Sequence, residues 1–259
     1  MNGEITSETG AGGVLSLNGA IVNYAPVLGA GDISVEGSGV VTITTDVTSA
    51  TPLTLNYKGD IIIAANLSTS SGDITLRADS DDDGAGGVWI KAAGSVDSAG
   101  SLSVIGSSLE DVGAGGQAVL VEASATGGGA DNQLVSAGTL SILRNASAPG
   151  TVETDLEIAG VMVASGLVTI TANRNVLFTG SNADLSSGGG NINVTADANN
   201  GTVPGGAIAM ADGASIDSGT GTITLAATGD ITVTGLSSVR APGAVETTIS
   251  LTSSAGGIA

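Results

Sequence analysis

Asp79-Ser80-Asp81-Asp82-Asp83-Gly84 is the segment whose residue types and spacing suit a definite chemistry. Carboxylates at alternate positions converge on one hard cation, and the glycine after them permits a tight turn, so the run matches the first half of the D-x-D-x-D-G calcium loop. The twelfth position of such a loop carries a bidentate Glu, but here it is Ile90. Asp79, Asp81 and Asp83 would therefore need a further carboxylate from a neighbouring part of the fold. The expected calcium affinity is that of extracellular modules, about 10⁻⁴ to 10⁻³ M. The competing reading is an acidic, solvated turn, and neither reading requires a cofactor.

Other chemistry is sparse. The chain has no His and no Cys, which removes imidazole- and thiolate-based catalysis and the usual zinc and haem ligand sets. Glu122, Glu153, Asp155 and Glu157 offer the carboxylate pair of a polysaccharide-cleaving enzyme. Such an enzyme also needs a groove with aromatic platforms and cationic clamps, and one Trp with six Lys and Arg supplies little of either. The expectation is that the chain is not an enzyme, with a carbohydrate-active β-helix as the alternative. Lys58-Gly59-Asp60 resembles an integrin-type tripeptide, yet Gly-Asp also precedes apolar triplets at Gly72-Asp73 and Gly229-Asp230, so a turn is the better reading. Thr-x-Thr pairs (Thr42/Thr44, Thr169/Thr171, Thr222/Thr224, Thr232/Thr234) resemble the rows of ice-binding solenoids. Those rows need a pair on nearly every coil, so the scattered pairs read as good outward strand residues.

The elements that must hold these groups are short strands. Apolar-x-apolar triplets recur from Leu15-Ser16-Leu17 through Ile74-Thr75-Leu76 and Val168-Thr169-Ile170 to Ile249-Ser250-Leu251, separated by Gly, Ser, Asn and Asp. Period-two alternation over so few residues means strands with one buried face, and the intervening residues are turn formers. No amphipathic helix is evident, so the chain reads as all-β. With 41% hydrophobic content it has enough to bury, while four aromatic residues rule out an aromatic-rich core.

An internal repeat separates the two all-β alternatives, a sandwich and a solenoid. Leu53-Thr54-Leu55 and Ile61-Ile62-Ile63 recur as Val168-Thr169-Ile170 and Val176-Leu177-Phe178, and Gly72-Asp73-Ile74-Thr75-Leu76 as Gly190-Asn191-Ile192-Asn193-Val194. Val96-Asp97-Ser98 matches Ile216-Asp217-Ser218, and the offset drifts only at turns. Stacked coils tolerate such insertions because each contacts only its neighbours. The expectation is one continuous domain over residues 1–259, a right-handed parallel β-helix with a duplication of about 53–104 and 168–225. At roughly 20 residues per coil it would have about 13 coils and form a rod near 60 Å long.

The segments Gly72 to Val104 and Gly189 to Gly235, with their Gly-Asp-Ile-Thr-Leu and Gly-Thr-Ile-Thr-Leu phrases, resemble filamentous-haemagglutinin-type repeats of large bacterial surface and secreted adhesins. The resemblance implies an extended β-helical shaft on the cell surface or secreted from it. Its partners would be neighbouring repeats, copies of itself end to end, or a host or surface glycan. The net charge of −19 excludes nucleic acid and anionic membranes as partners. No apolar run approaches the roughly 18 residues of a membrane span. Met1-Asn2-Gly3-Glu4 lacks the basic start and apolar stretch of a secretory signal.

Overall fold

The computed structural model describes residues 15–18, 33–36, 40–44, 46–109, 116–124, 132–145, 154–198, 205–237 and 249–259. These contain 26 strands and no helix, arranged as three parallel sheets. Sheet A has ten strands, starting with Leu15–Asn18, Ile33–Glu36 and Leu53–Tyr57 and ending with Ile223–Ala227 and Ile249–Ser253. Sheet B has eight, from Val40–Ile43 to Ile231–Thr232, and sheet C eight, from Val47–Ser49 to Leu236–Ser237. From Val40 onward the chain visits B, C and A in strict rotation, and from Leu53 onward each strand pairs with the one three earlier. The result is a three-sided solenoid of stacked parallel strands.

Coil length departs from the sequence reading. The seven coils between Leu53 and Ile249 take 196 residues, a mean of 28 rather than 20, and single coils there run from 20 residues (Leu156 to Val176) to 38 (Leu102 to Leu140). Eight complete three-strand coils are described, and ten stacked sheet-A strands span about 43 Å at the usual strand spacing. The shortfall from 13 coils has a physical cause. The apolar triplets mark sheets A and B, whereas most sheet C strands carry one inward aliphatic and then an inward hydroxyl, as in Val47-Thr48-Ser49, Leu67-Ser68-Thr69 and Val96-Asp97-Ser98. Each coil therefore has a third strand that period-two apolar alternation does not reveal.

Inward aliphatics from the three sheets stack on their counterparts one coil away. Ile74, Leu102, Leu140, Val168 and Ile192 form one such row, and all are essentially inaccessible. Two rings do enter this interior: Tyr57 and Phe178 are fully buried, at the end of a sheet A strand and of a sheet B strand. Trp89 faces outward between inward Val88 and Ile90.

Corners are held by side chains, because the strand ladder lapses where the chain bends and its polar groups still need partners. At the corner from sheet C to sheet A, buried Thr69, Ser98 and Ser136 stand one above another, and Ser187 and Ser218 continue the column beyond Ala164. Each caps a carbonyl three residues on, as Ser98 Oγ does for Ser101 (2.9 Å) and Ser136 Oγ for Thr139 (2.9 Å). Just beyond runs a glycine column in which backbone lies on backbone: Gly138 N–H donates to the Gly100 carbonyl (2.8 Å) and Gly166 N–H to that of Gly138 (2.9 Å). A Cβ at Gly190 would fall 2.1 Å from the Gly166 oxygen. Before the strands, a second device couples coils. Asp60, Asp73, Asn191 and Asp230 accept through Oδ1 from backbone N–H groups one coil on, at Gly87 (2.8 Å), Ser101 (2.7 Å), Thr222 (2.9 Å) and Gly257 (2.7 Å).

Gly190→Ala has to push two coils apart at the corner. It is expected to lower stability in chemical denaturation by about 2–3 kcal/mol, the cost of overpacking a site that cannot relax.

Candidate functional site

The Asp79 turn leaves sheet A where the strand Ile74–Arg77 ends and returns to sheet B at Val88–Ile90. Asp79 and Asp82 adopt left-handed φ values of 52° and 61°, a region that Asp tolerates better than most residues. Gly84 and Gly86 complete the reversal at 97° and 103°. The backbone thus doubles back and throws the Asp79 side chain inward, under the next coil.

There Asp79 is completely buried and accepts three hydrogen bonds. Its Oδ1 takes Gly84 N–H (3.1 Å), and its Oδ2 takes the Ser107 hydroxyl and Asn145 Nδ2 (3.0 Å). Asn145 Nδ2 also lies 2.9 Å from the Asp79 carbonyl and 2.8 Å from Asp82 Oδ1, to which Arg77 donates at 2.7 Å. Residues from three successive coils therefore meet at one corner. Burial pushes the Asp79 carboxyl above its ordinary 3.8 and the Asp83 charge adds to the rise, against the pull of its three donors. Asp82 is held below 3.8, chiefly by the Asn145 hydrogen bond and then by Arg77.

Asp79, Asp81 and Asp83 each bring a carboxylate oxygen within 4.8 Å of the others, with Asp81 and Asp83 exposed. Lys58 Nζ lies 3.8 Å from Asp81, and Asp83 Oδ1 accepts Ala85 N–H (2.8 Å). Asp79 is thus first a corner staple, and only its two companions present free faces. In the second copy, Asp197 repeats the design: φ is 54°, the residue is buried, and Oδ2 accepts the Thr228 hydroxyl one coil on. Asn199-Asn200-Gly201 of that copy lies outside the described residues. Ser107, Asn145 and Arg77 gave no sequence signal by themselves. The stacked corner residues share a position: Asp79, Ser107, Asn145, Asn173, Asp197 and Thr228 all fall five residues after the first aliphatic of a sheet A strand.

Three of the four carboxylates considered for sugar cleavage are already committed. Glu122 accepts from the Trp89 indole N–H (3.0 Å) and Ala92 N–H (2.8 Å), while Lys91 Nζ sits 4.5 Å above the Trp89 ring. Buried Asp155 grips Arg174 through two 2.7 Å bonds, and Glu157 accepts from Gln117 (3.2 Å) and Thr179 (3.3 Å). Glu153 lies outside the described residues. Asp60 of the Lys58-Gly59-Asp60 tripeptide is buried. Only Thr169/Thr171 lies wholly on one strand, in sheet A; Thr42 and Thr232 are on sheet B and Thr224 on sheet A, with Thr44, Thr234 and Thr222 beside the strands. No family model matches this chain, and no curated protein or solved structure is significantly similar to it.

Asp79→Ala strands the Ser107 and Gly84 donors and places Ala at a left-handed φ. It is expected to cost about 2–4 kcal/mol in denaturant titration, whereas Asp81→Ala stays within about 0.5 kcal/mol. Acid acts on the two shifted groups in opposite directions. Asp82, with its lowered pKa, contributes stability above pH 3.8 that is lost as pH falls through its folded value. Asp79, with its raised pKa, binds its proton more readily in the folded state, so its contribution weakens as pH rises from 3.8 through the folded value. Asp82→Asn should therefore flatten the fall of melting temperature expected below about pH 4.

Proposed function

We propose that this chain is a structural segment, a right-handed β-solenoid shaft of a secreted or surface-displayed bacterial adhesin or filament. The observation that carries the reading is where the polar chemistry goes. Asp60, Asp73, Asp79, Asp155, Asp197 and Asp230 all spend their carboxylates on fastening turns and coils. A catalytic or ligand-binding protein keeps such groups convergent and open to a substrate; here they are spread along the rod. Likeness to filamentous-haemagglutinin-type repeats supports the same role, a spacer that carries a binding region away from the surface. Right-handed winding follows the general rule for crossovers between parallel strands. The partners of such a shaft would be neighbouring repeats or copies of itself stacked end to end. The test is a glycan array probed with the isolated segment. A shaft gives no saturable binding, and saturable binding to a defined glycan would replace this reading with the carbohydrate-active alternative.

A second, auxiliary reading rests on the three carboxylate oxygens within 4.8 Å. A carboxylate offers about four lone-pair sites, and Asp79 uses three for its donors. Its fourth, with exposed Asp81 and Asp83, would hold calcium weakly and fasten the turn. Millimolar calcium should raise the melting temperature, and Asp81→Ala should abolish the rise. An unaltered melting temperature for the unsubstituted protein would contradict cation binding.

A further inference from the structure

We draw no further inference here: the strongest candidate, the outward apolar row of sheet B formed by Ile62, Trp89, Leu120 and Leu177, carries nothing because nothing in the structure shows what covers it.

Discussion

Everything in this molecule depends on the strand-to-strand spacing of about 4.8 Å, which sets each residue directly on its counterpart one coil away. A parallel ladder in register leaves no freedom to offset awkward neighbours, so every column must tolerate what it contains. Inside, that favours Ile, Leu and Val of similar size, as in the row Ile74, Leu102, Leu140, Val168 and Ile192. At the tightest corner it excludes any side chain, which is why glycine recurs at Gly100, Gly138, Gly166, Gly190 and Gly221.

The same constraint governs charge. Two carboxylates stacked at this distance would repel with no solvent between them, and the corner columns avoid that arrangement. After sheet A the order is Asp79, Ser107, Asn145, Asn173, Asp197, Thr228, so donors separate the acids. Before sheet B, Asp60 is followed by Gly87 and Asp155 by Asn175. Each carboxylate sits below a backbone or side-chain donor, which converts the acidic composition from a source of repulsion into a means of joining coils. Acidity of this kind is structural, consistent with a shaft whose chemistry is directed inward along its own axis.

How much of this was legible beforehand follows from which signals are local. Alternation at Leu102-Ser103-Val104 or Val88-Trp89-Ile90 is local, so sheets A and B, the parallel stacking and the outward Trp89 could be read directly. Sheet C could not, because its second inward residue is a corner hydroxyl such as Ser98 or Ser136, and the missing strand shortened the inferred coil. Val96-Asp97-Ser98 and its counterpart Ile216-Asp217-Ser218 did stand out as repeats, but without a second aliphatic they did not announce strands. Asp79, Asp81 and Asp83 were found by spacing, and they do lie together. What spacing could not supply was the commitment of Asp79 to Ser107 and Asn145, residues 28 and 66 positions away that only the stacking brings near. Which outward positions share a row was hidden likewise, since coils of 20 to 38 residues separate them.

The central claim is that corner side chains join the coils as firmly as the strand ladders do. Native-state hydrogen exchange of Gly87, Ser101, Asn175, Ala207, Thr222 and Gly257 measures this directly, because each of these amides donates to an Asp or Asn one coil below. Coil-to-coil coupling predicts protection comparable to that of the adjoining strand amides. Exchange at the rate of open turns, with the strands still protected, would contradict it.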